Sequence, residues 1–271
     1  MTAPDISSIT LNDRTRIPQL GFGTLNVQPD RKSTPANIDR TAAIVGLALA
    51  LGYRHLDTAQ SYGTEQGVGK AIAASGIPRD ELYVTSKLSN SNHRPGDVRR
   101  SFDETLKKLG LEQLDLFLMH WPVPTLYDGD YVSTWEAMTE LVKGGRLRTA
   151  GVSNFQPEHL DRIVAATGVV PAVNQIEVHP YFPNGAAARD KTSAQIVLRW
   201  HLQHDRIVFP KSVHRERMAE NLKAFGFELS PDEVAAIDGL GRGEKGRVGP
   251  HPDTFAAIPE EDERPDEQER T

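Results

Sequence analysis

The chain contains no cysteine among its 271 residues. Disulfides, thiolate nucleophiles and cysteine-ligated zinc or iron–sulfur sites are therefore excluded. No apolar run approaches the roughly 20 residues that a membrane-spanning helix needs. The N-terminal stretch MTAPDISS lacks both the basic and the apolar region of a signal peptide. These absences predict a soluble, cytoplasmic protein with no membrane partner.

An excess of positive charge is also missing, since the formal net charge is −6. Residues 259–271 hold seven acidic residues and two arginines, so the remaining body is close to neutral at −1. Nothing indicates a basic face for nucleic acid. The composition predicts one domain over residues 1–258 and an acidic, disordered tail over 259–271. No exposed apolar stripe demands a partner, which favours a monomer.

Apolar runs that resemble strands alternate with helical patterns along most of the chain. SITLNDRTRIPQL, residues 8–20, predicts an opening hairpin with Asn12 and Asp13 at its turn. Helix signals include Thr34 as a cap before Pro35, Gly52 as a stop, and Ser230 as a cap before Pro231. The later strand-like runs are LGFGT (20–24), RHLDTA (54–59), ELYVTSKL (81–88), LDLFLMHW (114–121), LRTAGVSNF (147–155), AVNQIEVH (172–179) and RIVFPKS (206–212).

This alternation predicts βαβ units and a parallel sheet. So many units without a linker favour an α/β fold of the (β/α)8 TIM-barrel type over a doubly wound sheet. Seven barrel strands are legible. In such barrels the chemistry lies at the carboxyl ends of the strands.

Polar residues cluster at those ends. Asp57, Lys87 and His120 close the second, third and fourth runs, Ser153-Asn154 closes the fifth, and Lys211-Ser212 closes the last. Each has an ordinary alternative: Asp57 as a helix cap, Lys87 on the surface, His120 as a satisfied core histidine. Their common location is harder to attribute to packing, and it predicts an active site.

The chain resembles the aldo-keto reductase family, and the resemblance covers residues 20 to about 240. The motifs occur in the family's order: GFGT, YRHLDTAxxYGxE, VTSKL, DLFLMHWP, GVSNF, NQIEVHPY, IVFPKS and RMAENL. Together these motifs are highly specific. The resemblance implies a catalytic tetrad of Asp57, Tyr62, Lys87 and His120.

Physical chemistry supports those roles. Carbonyl reduction needs a hydride and a proton for the developing alkoxide. A phenol with pKa near 10 is a poor acid at neutral pH unless its anion is stabilised. We expect Lys87 to lower the pKa of Tyr62, Asp57 to hold Lys87 charged, and His120 to align the carbonyl oxygen.

The hydride must come from a cofactor, because no side chain supplies one. GRGEKG (241–246) is read as a loop, since no strand precedes it and no helix follows it. The resemblance implies NADP(H) extended across the barrel mouth, and two cations beside a helix N-terminus favour NADP over NAD. The resemblance implies that Ser153, Asn154 and Gln175 contact the nicotinamide. It implies that Lys211, Ser212 and Arg217 bind the 2′-phosphate, and that Glu220 and Asn221 lie at the adenine. Gly23 and Thr24 are further implied cofactor contacts.

Fewer residues of the substrate pocket can be predicted from the sequence. Leu25 and Trp121 are expected to line it, with Tyr181 or Phe182 nearby. His201 and His204 lie three apart on a helix, but no third ligand accompanies them, so no metal site is predicted.

The sequence departs from the family pattern at about 181–191. Only PYFPNGAAARDK separates His179 from Thr192, whereas a crossover helix and a seventh strand need at least about 15 residues. The family's missing segment carries the aromatic ring that stacks on the nicotinamide. Three explanations stay open. In the first, the segment is missing only from the sequence as written. In the second, it is truly deleted, so that strands 6 and 8 pair directly or the barrel stays open. In the third, the stretch GAAARDK takes the place of the missing strand.

Two functions follow from the sequence. The first is NADPH-dependent reduction of aldehydes or small ketones with Tyr62 as the general acid. The second is a catalytically weak or inactive NADP-binding relative that lacks the nicotinamide platform. A Schiff-base aldolase that uses Lys87 leaves Tyr62 without a role and is disfavoured.

Overall fold

The structure is a computed structural model that describes residues 6–180 and 191–258. The chain opens with an antiparallel hairpin of β1 (Ser8–Thr10) and β2 (Arg16–Pro18). Its turn is held by the Asp13 carboxylate, which accepts the Thr15 N–H at 2.9 Å. The predicted hairpin is therefore confirmed.

A parallel sheet follows, with its six strands hydrogen-bonded in chain order. Its curl brings the carboxyl ends of the strands to one mouth. The strands are β3 (Phe22–Gly23), β4 (His55–Asp57), β5 (Tyr83–Leu88), β6 (Leu114–Met119), β7 (Leu147–Ser153) and β8 (Asn174–Gln175).

Eight α-helices lie in the described residues, and the first five cover the outside of the sheet between consecutive strands. They are α1 (Pro35–Leu51), α2 (Glu65–Ser75), α3 (Pro95–Leu109), α4 (Val132–Lys143), α5 (Pro157–Thr167), α6 (Ser193–Gln203), α7 (Arg215–Leu222) and α8 (Pro231–Asp238). No helix in the described ranges is long and apolar enough to cross a membrane.

The predicted ends of α1 and α8 are confirmed. The Thr34 hydroxyl accepts the Asn37 N–H, and Gly52 adopts φ 107°, a left-handed conformation that favours glycine. The Ser230 hydroxyl likewise accepts the Glu233 N–H, with Pro231 in the first turn. Local chemistry alone sets these boundaries.

The predicted last barrel strand, residues 206–212, is wrong as a strand. One parallel bridge joins Leu20 to Val208, supported by the Gly21 N–H donating to the Val208 carbonyl at 2.9 Å. On its other side, no described residue of this segment bonds to β8, and a cavity of about 510 Å³ lies between them. A strand needs a ladder of partners, and here the described part of the sheet stays open.

All six strands of the sheet are shorter than their sequence runs, and the first and last keep the fewest residues. LGFGT contributes only the two residues of β3, and AVNQIEVH only the two residues of β8. β8 borders the cavity, whereas β3 bonds to residues 206–210 on its outer side. The central strands β5 and β6 are fully buried, and each keeps six of the eight residues of its predicted run.

Candidate active site

Asp57 and Lys87 form a buried ion pair at the mouth of the sheet. Asp57 is the last residue of β4 and Lys87 the penultimate residue of β5, which pairs with β4 in parallel register. The Lys87 Nζ lies 2.8 Å from both carboxylate oxygens and 2.9 Å from the Thr58 carbonyl. Lys87 is 1% exposed and Asp57 4%. The predicted surface alternative for Lys87 is therefore wrong.

These contacts keep the Lys87 ammonium charged. Burial alone would lower the pKa of Lys87, but the Asp57 carboxylate raises it above its ordinary value. Burial likewise raises the pKa of Asp57, and the ammonium counters that effect. Both carboxylate oxygens accept from Nζ, which is the geometry of an ion pair.

Tyr62 lies next to this pair, in a 3-10 turn over Gln60–Tyr62. The turn is pinned by the Gln60 side chain, whose Oε1 accepts the Ser89 N–H at 2.7 Å and whose Nε2 donates to the Ser101 carbonyl. The Tyr62 ring centroid is 4.9 Å from the Lys87 Nζ. The loop after β4 thus places a phenol beside a fixed positive charge.

The predicted direction of the Tyr62 pKa is wrong. Burial raises the pKa of Tyr62, and the nearby Asp57 carboxylate adds to that effect, while Lys87 lowers it only in part. Tyr62 is 9% exposed, so removal of water from the phenolate outweighs the attraction of the ammonium. Tyr62 is therefore protonated at neutral pH.

His120 faces Tyr62 from the end of β6. Their ring centroids are 5.7 Å apart with planes inclined by 73°. Burial lowers the pKa of His120 to about 3, and the Lys87 charge contributes to that shift. The imidazole is therefore neutral and can donate one N–H. Asn154 fixes its backbone, since the Asn154 Nδ2 donates to the His120 carbonyl at 2.9 Å.

Three buried threonines lie next to the ion pair; Thr24 was predicted as a cofactor contact, whereas sequence analysis missed Thr58 and Thr64. The Thr24 hydroxyl donates to the Asp57 carbonyl at 2.9 Å. The Thr64 hydroxyl lies 3.1 Å from that of Thr24 and 2.8 Å from that of Thr58. Thr64 is the residue before α2, yet its side chain makes no capping bond. The sequence indicated this role of Thr64 only by its position in the motif TAxxYGT, where a threonine would ordinarily be interpreted as a helix cap.

The predicted nicotinamide contacts lie together at the ends of β7 and β8. The Ser153 hydroxyl donates to the Gln175 carbonyl at 2.8 Å, and the Asn154 N–H donates to the same oxygen at 3.0 Å. The Gln175 Oε1 is buried and has no hydrogen-bond partner. Gln175 therefore has an acceptor to offer to a bound amide.

The predicted phosphate contacts lie at the N-terminus of α7. Lys211 and Arg217 are exposed, and neither side chain has a hydrogen bond or an ion pair to a described residue. The Ser212 hydroxyl lies between them in sequence and is occupied by His214, donating to its carbonyl at 3.3 Å and accepting its N–H at 3.0 Å. Two unpaired cations beside a helix N-terminus suit a dianionic phosphate.

The remaining predicted cofactor residues are held by other contacts. Gly23 lies where an added Cβ would stand 2.9 Å from the Phe209 carbonyl, so the close approach of that segment requires glycine. The backbone of Glu220 accepts the Gln195 Nε2 at 3.1 Å. Asn221 is buried and lies beside the Tyr53 hydroxyl, so its side chain has a structural contact as well.

Of the predicted pocket residues, Leu25 is exposed at 36% and Trp121 is half-buried. Phe255, which sequence reasoning missed, packs on Trp121 with ring centroids 4.3 Å apart. Its segment is tied down by the Asn90 Nδ2, which donates to the Ala257 carbonyl at 2.9 Å. Phe255 is the only aromatic residue after Phe227, which was the available signal. Tyr181 and Phe182 lie outside the described residues.

The GRGEKG stretch contains a short 3-10 turn, Gly243–Gly246, after α8. The predicted loop is therefore confirmed. It borders Glu177, whose carboxylate accepts the N–H groups of Val248 and Gly249 at 2.7 and 2.8 Å.

Comparison with known proteins agrees with this geometry. The family model of the "Aldo/keto reductase family" matches residues 19–187 and 184–242. An aldo-keto reductase of Mycolicibacterium smegmatis is 41% identical over 280 positions, which cover 91% of this chain and 97% of the relative. A methylglyoxal reductase DkgA of Salmonella typhimurium is 39% identical over 283 positions, which cover 91% and 97%.

The M. smegmatis alignment is longer than the part of this chain that it covers. Its 280 positions contain about 247 residues of this chain (91% of 271), so about 33 positions are filled by the relative alone. The two matches to the family model meet at residues 184–187, within the segment where the sequence is shorter than the family pattern.

Solved structures show the same likeness. A crystal structure of a Gox0644 variant in complex with NADPH has 39% identity and a TM-score of 0.83, and it covers 93% of this chain and 99% of its own. Sequence identities of this size over more than 90% of the chain indicate common family membership and not only a shared fold. This chain is an oxidoreductase and belongs to the aldo-keto reductase family.

Proposed function

We propose that the protein reduces aldehydes or small ketones to alcohols with NADPH, and that Tyr62 is the general acid. The observation that carries the proposal is the Lys87 ammonium, held by Asp57 and the Thr58 carbonyl and 4.9 Å from the Tyr62 ring. A buried charge costs free energy unless it is paired. A buried pair directed at a phenol is therefore best explained by a reaction in which that phenol gains negative charge.

The side chains present fit NADP(H) at both ends. The unpartnered Gln175 Oε1 can accept from a carboxamide, and the unpaired Lys211 and Arg217 can bind a 2′-phosphate. The NADPH-bound Gox0644 structure supports the same cofactor. When bound, NADPH supplies a hydride to the carbonyl carbon.

The residues of this chain donate the proton to the carbonyl oxygen and stabilise the groups that take part in its transfer. Tyr62 is kept protonated by burial, and its hydroxyl gives that proton to the carbonyl oxygen as the C–H bond forms. The resulting phenolate is stabilised by the Lys87 ammonium. Neutral His120 donates an N–H to the same oxygen and so aligns the carbonyl. A proton from solvent then restores Tyr62.

Tyr62→Phe tests this proposal, and Tyr83→Phe is the matched control because Tyr83 also has a buried hydroxyl, here without a partner. NADPH consumption is followed against a panel of aldehydes and ketones. Loss of a general acid lowers turnover by about 10²–10⁴-fold, while NADPH binding, measured by fluorescence titration, stays unchanged. Unchanged turnover in Tyr62→Phe would exclude Tyr62 as the acid.

A second candidate, a catalytically weak or inactive NADP-binding protein, is favoured by one observation. Gln175 lies on β8, and a cavity rather than a further strand of the described chain lies beyond it. NADPH binding without turnover on any carbonyl of the panel would support this candidate over the reductase.

A further inference from the structure

The cavity in the open side of the sheet is bordered by β8, α6 and residues 206–210. Its volume of about 510 Å³ lies within the range of small-molecule sites. Most of its wall is apolar, and the apolar side chains on it include Ile17, Leu116, Leu118, Val173, Ile207 and Val208. A space of this size and polarity is suited to an organic ligand.

Unpartnered polar groups are concentrated around this cavity. Eight buried side-chain atoms in the described residues lack a hydrogen-bond partner, and three of them belong to residues that border it. They are the Gln175 Oε1, the His201 Nδ1 and the Arg206 Nη1. Buried polar groups normally have hydrogen-bond partners, so these three atoms are available to the polar group of a ligand.

Arg206 supplies a cation without an anion. Its guanidinium lies 4.4 Å from the Trp200 ring centroid and makes no side-chain hydrogen bond or ion pair with a described residue. The neighbouring carboxylate, Asp238, instead accepts from the Trp200 Nε1 at 2.9 Å and contacts the His204 Nε2 at 3.0 Å. Burial lowers the pKa of Arg206, and Asp238 offsets this only in part.

His201 adds a neutral polar group beside Arg206. The side chain is 8% exposed, and burial together with the Arg206 charge lowers its pKa to about 4. A neutral imidazole can donate or accept one hydrogen bond, depending on its tautomer. It can therefore pair with a carboxylate that the guanidinium also binds, without adding a second charge.

We propose that this cavity binds an organic monocarboxylate with an apolar chain, its carboxylate on Arg206 and its chain against the Leu116, Leu118 and Val173 wall. One cation suits a single negative charge better than a phosphate dianion. The apolar wall suits a hydrocarbon better than a sugar. The inference does not depend on reductase activity, although Gln175 borders both this cavity and the proposed nicotinamide site.

Decanoate, decanol and decylamine are suitable probes, titrated calorimetrically into the full chain without NADPH. The three share one hydrocarbon chain and differ in the charge of the head group. We expect saturable 1:1 binding of decanoate, and binding of decanol that is about 10-fold weaker or more, because a charge-assisted hydrogen bond is lost. Equal binding of all three probes would mean nonspecific association and would overturn the proposal.

Arg206→Met keeps an apolar stem over Trp200 and removes the charge. We expect it to bring decanoate binding down to the level of decanol, while Arg206→Lys retains part of the preference. Arg99→Met, at an exposed arginine of α3, removes the same charge elsewhere and should bind as the parent does. Circular dichroism checks that each variant is folded.

A second variant tests the location by filling the cavity. Ile207→Trp is expected to reduce the affinity for decanoate and decanol alike, whereas Arg206→Met reduces only that for decanoate. Unchanged decanoate binding in both folded variants would overturn the proposal, as would the absence of saturable binding in the parent. Turnover with NADPH is not part of this test, so its outcome stays separate from that of the proposed reductase function.

Discussion

Stability is expected to fall below pH 6.5 because of His93, a core histidine without a hydrogen bond. The side chain is 1% exposed, and neither ring nitrogen has a partner. Its ring stacks on Tyr127, with centroids 5.4 Å apart and planes inclined by 6°. Burial lowers the pKa of His93 from its ordinary value of 6.5 to about 4.

The sign of the effect follows from proton linkage. Between pH 6.5 and about 4 the unfolded chain binds a proton at His93 that the folded chain does not. Stability is therefore fully present above pH 6.5 and is lost as the pH falls towards 4. Between pH 7.5 and 5, this one residue removes about 2 kcal/mol from the free energy of unfolding.

His93→Phe removes the titrating group and keeps a flat ring against Tyr127. Urea unfolding at pH 7.5 and pH 5 gives the free energy of unfolding of parent and variant at each pH. We expect the fall between the two pH values to be about 2 kcal/mol smaller in the variant. His214→Phe, at an exposed histidine, is the control and should keep the fall of the parent. The same fall in His93→Phe and in the parent would refute the assignment.

Two further predictions concern packing and the hydroxyl chain. Gly69→Ala should lower the free energy of unfolding by about 1–3 kcal/mol, since its Cβ would stand 2.5 Å from the backbone of the last residue of α3. Gly46→Ala in α1, where nothing lies within 4 Å, should raise it by about 0.5–1 kcal/mol, and urea unfolding measures both. Thr64→Val removes the hydroxyl between Thr24 and Thr58, and we expect a lower kcat and a shifted pH profile that Thr64→Ser restores. A fall in stability with an unchanged pH profile would make that hydroxyl purely structural.

The sequence predicted those features that depend on neighbours in the chain. Thr34, Pro35 and Gly52 set the ends of α1 because capping and left-handed glycine act within one turn. Residues 206–212 failed as a strand for the opposite reason. The run is apolar enough, but its strand-type backbone bonds reach only residues 19–23, with a single bridge, and no described residue pairs with it on the side towards β8.

The candidate site likewise has features that the sequence predicted and features that it could not predict. Asp57, Lys87 and His120 could be placed because the ends of parallel strands meet at one mouth. The Thr58 carbonyl on Lys87 could not, because a backbone oxygen leaves no mark on a sequence. The direction of the Tyr62 pKa was mispredicted because it depends on the degree of burial, and burial outweighs the nearby charge that the sequence did reveal.

The opening in the sheet bears unequally on the two halves of the proposed reaction. Asp57, Lys87 and His120 come from the ends of β4, β5 and β6, each of which has a strand on both sides. Gln175 lies on β8, the last strand of the sheet, and the cavity beyond it is lined on another side by residues 206–210, which lead into Lys211. The residues proposed for proton donation therefore lie on strands that are paired on both sides. Gln175, which is proposed to align the nicotinamide, lies on a strand at the edge of the opening. We infer that any loss of activity caused by the short segment arises in cofactor binding and hydride geometry, and not in the acid chemistry of Tyr62.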